Sequence, residues 1–596
     1  MRFLTSTSLV AILVAFTWAV EPETGLLTVP ESIPISVAIN QIGYDPDSTK
    51  ICVVQVRDAC KNDPAEAFQL IDMTEKVVFF GELTAMGRIH EGTTSDWGAR
   101  FWNGEFTDFR NEGEYRVRIA VAGRTYESFP FKIQRNLLYE TTLSSAARFF
   151  WFQRCGYKIP GLHNACHMDD AVIPSTLGEG RKDASGGWHN AGDFNKYATI
   201  SCYSAYALLT TARNVAERDA PGELFRELTE EGFWGADWLM KMWQSDKGII
   251  YQEVWSGYDN WGCADDDTDG VLGTADDRPF RGEGPSGMTA AALAAAARAT
   301  KDSPAKAKAY REAAEDLWRG AVRATCDYEE DVWGPTCADG FCPQPQDAEG
   351  RIARRTAALL LADLELEALT GETKYTENAQ DCVRVLLKLQ QANGLWFGDS
   401  YTRNTLEGTI PASLALYVLA HPDIPAAIEV RKTLRAWMDG VFISVQNPFG
   451  LLRWDAEHFF NPAGKNYCYV GQNSQYLSNV WALNLASRVI DDSRTGRTAD
   501  RLLDWVLGCN PYNLCMFEGF GSFNPPFYLH RFAPDEARGA VPGAVCNGFC
   551  LLPSGEDIPW FDLLLPPRRV SFRTSEPWEP HNAFYLLALS SRCQDP

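Results

Sequence analysis

The spacing of apolar residues changes once along this chain, near Leu137, and the change divides it into two unlike parts. Before it, residues 36–39, 50–56, 68–71, 76–80, 113–119 and 124–133 form short β-branched or aromatic runs separated by turn residues. Six or seven strands in about 100 residues predict a β-sandwich over residues 35–133. After it the period becomes helical. Twelve runs are expected, near 139–153, 197–218, 223–243, 288–300, 304–325, 351–370, 373–391, 409–421, 424–440, 474–490, 494–508 and 581–591. Residues 290–299 and 357–369 are apolar on most faces, as in helices buried on both sides. Twelve helices paired as six hairpins can close into an (α/α)6 barrel, although the number alone does not exclude an open array. The long stretches between them are rich in Gly, Trp, Tyr and Asp, and such loops build sites at a barrel rim.

Charge and the termini narrow the partners. The net charge of −23 argues against nucleic acid, because phosphate binding needs clustered Lys and Arg. Residues 1–19 have the form of a signal peptide: Arg2 is followed by a short apolar run, and Thr17-Trp18-Ala19 offers small residues for cleavage. That run is too short to span a membrane, and no later segment is long enough. A secreted or periplasmic soluble protein is expected, with a retained anchor as the rival. Sixteen cysteines suit an oxidising compartment. Cys52/Cys60, Cys337/Cys342, Cys509/Cys515 and Cys546/Cys550 are close enough in sequence for local bridges, but sequence does not fix the pairing.

Several clusters carry chemistry. Gly186-Gly187-Trp188-His189-Asn190-Ala191-Gly192-Asp193-Phe194-Asn195-Lys196-Tyr197 is a glycine-rich loop before a helix. A carboxylate held there, at Asp193, could keep and deprotonate a water; the alternative is a capping Asp. Cys155, Cys166, His167 and His189 together make a tetrahedral zinc set. His163 competes as a ligand, and a Cys155–Cys166 disulfide with two ordinary histidines is the rival. Asp265-x-Asp267-x-Asp269-Gly270 with Asp276 has calcium-loop spacing, balanced against an acidic solvated rim. Trp255, Tyr258, Trp261, Trp333, Trp396 and Trp454 are candidate sugar platforms, each more often core than platform.

The glycine-rich loop resembles the base-bearing loop of glycoside hydrolase family 9, usually Gly-Gly-Trp-(His/Tyr)-Asp-Ala-Gly-Asp, with Asn190 in place of the first acid. Asn40-Gln41-Ile42-Gly43-Tyr44, and 104–109 before 113–117, resemble the immunoglobulin-like domain preceding many such enzymes. That family often carries the same Cys…Cys-His…His pattern around a structural zinc. Leu507-Gly508-Cys509-Asn510-Pro511, Gly519-Phe520-Gly521 and Leu529-His530-Arg531 resemble its Leu-Gly-x-Asn-Pro…Gly-Phe-Gly…His-His-Arg stretch, with Leu529 replacing the first His. The resemblance implies that His530 and Arg531 bind sugar hydroxyls. It also implies that Glu576 is the acid, because Asn582-Ala583 follows it at the family's distance. Glu579 lacks that spacing and reads as a capping charge at a helix start. Ser575 replaces the family's usual Asn.

The resemblance covers residues 138–592, implies the closed (α/α)6 barrel there, and extends through the sandwich to about residue 35. It implies inverting hydrolysis of a β-1,4-glucan such as cellulose, with Asp193 as base, Glu576 as acid and Asn190 orienting the water. Asn190 and Leu529 leave room for an exo-acting enzyme on short gluco- or glucosamine oligomers. A third reading is a sugar-binding protein without turnover, against which both carboxylates argue.

Overall fold

The computed structural model describes residues 33–170, 172–178, 180–219, 221–245, 247–254, 278–326, 348–396, 408–462, 470–530, 541–563 and 572–592. The signal-peptide residues, the Asp265–Asp276 loop, Cys337, Cys342, Arg531, Trp255, Tyr258, Trp261 and Trp333 lie outside them.

Nine strands build the first part: β1 (Ile35–Ala38), β2 (Gly43–Tyr44), β3 (Ile51–Arg57), β4 (Pro64–Asp72), β5 (Val77–Gly87), β6 (Ala99–Glu105), β7 (Gly113–Val121), β8 (Arg124–Glu127) and β9 (Phe131–Ile133). Their order is β1-β3-β6-β5-β4-β7-β9-β2, with β8 on β7. The long β5 joins the two faces. Its first half pairs with β4 and its second half with β6, with register breaks in both ladders. Val54, Phe68, Leu70, Val117 and Phe131 fill the space between the faces. Two details depart from expectation. The segment 124–133 is two strands, because Pro130 cannot serve an interior ladder. The strand β6 was not foreseen; its Gly104 is needed because a Cβ there would meet Cys52 Sγ at 2.7 Å.

The helices are α1 (Leu137–Phe152), α2 (Ala198–Arg218), α3 (Glu223–Met242), α4 (Gly287–Ala299), α5 (Pro304–Cys326), α6 (Ala348–Thr370), α7 (Thr373–Leu389), α8 (Thr409–Ala420), α9 (Pro425–Ser444), α10 (Asn473–Ala486), α11 (Arg494–Val506), the single-turn α12 (Phe572–Ser575) and α13 (Glu579–Ser590). Helices α2, α4, α6, α8, α10 and α13 each pack on the next, and α13 packs back on α2. The ring is therefore closed, and the open array is ruled out. Helices α3, α5, α7, α9 and α11 pack outside their inner partners, with α1 against α13. Burial follows this plan: every residue of α10 is buried, whereas the outer α7 buries only one stripe.

Short strands β10 (Val172–Ile173), β11 (Gly180–Arg181), β12 (Lys196–Tyr197), β13 (Trp243–Gln244), β14 (Ile249–Val254) and β15 (Phe280–Gly284) lie in the connections. The small sheet β12-β14-β13, with β15 on β14, supports the chain as it enters α2.

The two parts share a broad interface. Asn40 Nδ2 donates to Asp504 Oδ1 at 2.9 Å, and the Gln41 N–H donates to the Leu507 carbonyl at 3.0 Å. Trp97 of the sandwich packs against Phe449, Phe459 and Phe460, and its indole N–H donates to the Asp557 carbonyl. Gly508, at φ +125°, admits the Gln41 side chain; a Cβ there would lie 2.8 Å from it.

Ten cysteines in the described part are unbridged thiols, so three of the expected local bridges are absent. Cys52 points into the sandwich core, while Cys60 lies beyond the end of β3 with its thiol on the Asn62 carbonyl. Cys509 donates to Ala38 and Ile51 carbonyls, and Cys515 to that of Phe517. Cys546 pairs with Pro577 and Cys550 with Trp560 in separate bridges. Trp396 and Trp454 are core residues rather than platforms, each 2 % exposed.

Candidate active site

The closed ring places the entries to α2 and α13 side by side, and the two candidate carboxylates lie on those entries. Gly186 and Gly187 have φ of +90° and +72°, and a Cβ on Gly187 would meet the Trp238 indole at 2.5 Å. That turn buries Trp188 completely, with its Nε1 donating to Glu231 Oε1 at 2.7 Å. Arg154 clasps the same carboxylate through Nε and Nη2. The loop is thus pinned to α3 before it reaches Asp193.

Asp193 is half-buried and is not a helix cap. The N-cap of α2 is Tyr197, with no side-chain cap bond. Instead Asp193 accepts the Asn195 backbone N–H at 3.1 Å and its amide at 3.0 Å, one on each oxygen. Asn190 is buried, and its side-chain oxygen has no hydrogen-bond partner among the described residues.

The second candidate, Glu576, arrives from the other end of the chain. Gly192 N–H donates to Glu576 Oε1 at 3.2 Å across 384 residues. A Cβ on Gly192 would lie 2.0 Å from the Leu529 carbonyl oxygen and 3.2 Å from Glu576 Cγ. The Gly186–Tyr197 loop, the Leu529-His530 segment and the segment bearing Glu576 therefore converge on one glycine, next to Asp193. The Glu576 segment is held by Asn547 N–H on the Glu576 carbonyl and Leu529 N–H on the Ser575 carbonyl. Asn582 anchors the start of α13 by donating to the Ala146 and Gly543 carbonyls and accepting the Val545 N–H.

Glu579 departs from the expected capping charge. It opens α13, but it is fully buried, and burial holds its carboxyl well above the usual carboxylate range. Its N–H donates to the Asn190 carbonyl, and Ser201 of α2 donates to its carboxyl. It fastens the entry of α13 to that of α2.

His530 is buried, with Nε2 2.7 Å from Gln153 Oε1. The Gln153 amide nitrogen already donates to the His189 and Ala191 carbonyls, so its oxygen accepts and His530 Nε2 carries the proton.

Behind the loop, Cys155, Cys166, His167 and His189 are all buried, with their ligand atoms within 4.8 Å of one another. His189 Nε2 lies 3.4 Å from Cys166 Sγ, and His167 Nδ1 lies 3.7 Å from Cys155 Sγ. The two cysteines are not bridged, so the disulfide alternative fails. His163 is outside the group and turns Nδ1 to the Asn164 carbonyl. Burial pushes His189 down to about 3, which leaves a neutral imidazole. Burial alone would raise the Cys155 thiol, but hydrogen bonding from Cys166, with Lys196 and His189 nearby, draws it well below its ordinary range. A thiolate and a neutral imidazole are the forms that bind a metal. Arg278, wholly buried, pairs with Asp170 at 2.6 Å and donates to the Phe194 carbonyl, tying this cluster to the residue after Asp193.

Sequence reasoning missed Gln153, Asn195, Glu231, Asp170 and Arg278. Only Asn195 left a signal, since Asp-x-Asn favours a local side-chain-to-backbone turn. A cavity of about 70 Å³ lies at the mouth of the ring, between Tyr203 of α2, Met288 of α4 and Arg354 of α6.

A closed (α/α)6 ring with paired carboxyl groups on adjoining entries defines the class: a glycoside-cleaving barrel enzyme behind an immunoglobulin-like domain. The glycosyl hydrolase family 9 profile matches residues 139–577 and that of the cellulase N-terminal Ig-like domain matches residues 34–124. The chain belongs to glycosyl hydrolase family 9. A cellodextrinase of Butyrivibrio fibrisolvens is 26% identical over 552 residues, covering 86% of this chain and 90% of that one. A metagenome-derived family 9 endoglucanase superposes with a TM-score of 0.69 at 23% identity, covering 93% of this chain and 98% of that one. A zinc-binding triple mutant of another family 9 endoglucanase gives 0.68 at 22% identity, covering 92% and 99%.

Proposed function

We propose that this chain hydrolyses β-1,4-glucosidic bonds with inversion at the anomeric carbon. Asp193 takes a proton from water on one face of the sugar, and Glu576 protonates the leaving oxygen on the other. The observation that carries this reading is the Gly192 contact to Glu576, which brings that carboxyl beside the loop that bears Asp193. Asn195 orients the Asp193 carboxylate. Asn190 lends an amide that can orient the water without competing for its proton. His530 and Arg531 bind hydroxyls of the sugar at the cleaved bond. Gln153 fixes His530 in one tautomer.

The Cys155, Cys166, His167 and His189 set holds zinc. Four protein ligands leave no open position, so the ion would brace the base loop rather than act on the bond. The signal-peptide form of residues 1–19 supports export. Among the described residues no helix is long and apolar enough to cross a membrane.

The full-length likeness to a cellodextrinase favours a second reading, an exo-acting enzyme on short β-glucans. A reducing-end assay on cellulose, soluble β-glucan and cello-oligomers tests both. Polymer cleavage with falling viscosity supports endo action, and cleavage of oligomers alone supports the second. No cleavage of any β-1,4-glucan, by protein that binds the sugars, would leave a binding protein.

A further inference from the structure

A pocket of about 370 Å³ lies between the sandwich and the barrel, apart from the active site. Domain boundaries are a common place for ligand sites, and this volume is in their usual range. The β5–β6 loop supplies His90, Thr93 and Ser95, the segment after α9 supplies Arg453, Glu457 and His458, and Asp557 closes the wall.

The walls are built, yet their hydrogen-bonding capacity is only half used. His90 Nε2 sits 2.7 Å from Asp557 Oδ2, and His458 Nδ1 sits 3.0 Å from the Asp455 carboxylate. Each ring is fixed at one nitrogen, while the other makes no hydrogen bond among the described residues. Arg453 lies over the Phe459 ring at 4.7 Å and its Nη1 donates to the Ala456 carbonyl at 3.3 Å, while its buried Nε has no hydrogen-bond partner among the described residues. Among the described residues no carboxylate pairs with Arg453 and no cation with the exposed Glu457. Ser95 Oγ accepts the Asp557 N–H at 3.0 Å and keeps its own proton to donate. Thr93 Oγ1 donates to the His90 carbonyl at 2.8 Å and accepts the Ser95 N–H at 3.1 Å, which leaves one lone pair to accept.

This mixture selects the ligand class. A metal cation would face the Arg453 guanidinium, and among the described residues only the Cys155 cluster groups three metal-ligating side chains. A free anion would face Glu457 and Asp557. A neutral polyhydroxyl ligand satisfies unused donors and acceptors together, because each hydroxyl does both. The pocket also sits on the catalytic side of the barrel. Asp557 accepts the Phe459 and Phe460 N–H groups just before α10, and lies on the same segment as Asn547, whose N–H holds the Glu576 carbonyl.

We propose that this pocket is a second saccharide site, formed jointly by sandwich and barrel, that holds a β-glucan segment away from the bond being cleaved. The proposal rests on the glucan reading above. It gives the sandwich loop 88–98 a direct part in holding substrate.

The test uses the full chain with Glu576→Gln and titrates cellotetraose by calorimetry. Two equivalents per chain are expected. Adding Arg453→Ala with Glu457→Ala should leave one equivalent. Ala456→Trp, at an exposed position on the rim, should do the same by bulk without deleting a polar group. One equivalent in the Glu576→Gln protein, or two persisting in both pocket variants, would overturn the second site. Hydrolysis of cellotetraose by the wild-type chain, measured alongside, separates this failure from failure of the glucan reading.

Discussion

Asn190 stands where the family usually places a second carboxylate, and its neighbours show how one acid can suffice. Asp193 is held from both oxygens by Asn195, so it needs no second acid to orient it. Asp193→Ala should lose on the order of a hundredfold or more in kcat, the usual scale for a general base. Asn190→Asp should fold normally and move the acidic limb of the kcat profile upward, because two nearby carboxylates resist joint ionisation. An unmoved limb would show that position 190 does not face the base. Glu579 offers a sharper contrast. Its buried carboxyl fastens α13 to α2, so Glu579→Gln should keep kcat within a few-fold, whereas Glu576→Gln should lose on the order of a hundredfold. Reversed results would make Glu579 the acid. Asp193 and Glu576 could be named as candidates because motifs mark them. Gln153, Asn195 and Arg278 act through contacts that no local spacing records.

At the level of elements, the base loop and helix α11 carry separable predictions. The four-ligand cluster fixes the loop from behind, so purified protein should contain about one zinc per chain. Cys166→Ser should lose the metal and lower the melting temperature, and zinc-free protein of unchanged stability would contradict the assignment. In α11, burial lifts Asp504 to about 8, even though Asn40 donates to it. Its folded pKa lies above the unfolded one, so its contribution is intact below about pH 4 and is lost as the pH rises through about 8. Asp504→Asn keeps an acceptor for Asn40 and cannot ionise. It should therefore flatten the fall in unfolding free energy between pH 5 and about 8, measured by denaturant titration. An unchanged slope would mean that Asp504 is solvated. The twelve long helices were legible from apolar period alone. β6 was not, because Gly104 and the polar Asn103 and Glu105 dilute its alternation. The disulfide expectation failed because nearness in sequence does not aim two thiols at each other.

Across the whole molecule, ring closure brings the two candidate carboxylates together. Helix α13 packs on both α10 and α2, and so delivers Glu576 to a loop near the start of the barrel. Helical period could count the barrel's parts, but only the packing of α13 back on α2 distinguishes a ring from an array. The sandwich enters through Asn40, Gln41 and Trp97, whose partners are backbone carbonyls, Asp504 and buried rings of the barrel. Removing residues 35–133 would strand those groups, so the isolated barrel should melt well below the full chain. Equal stability would refute the interface. The central claim is that this ring brings Asp193 and Glu576 together as an inverting pair on a β-1,4-glucan. Proton NMR of the anomeric signals in the first turnovers of a cello-oligosaccharide tests it most directly. The account predicts that the new reducing end appears first as the α-anomer and then mutarotates; a β-anomer appearing first would contradict it.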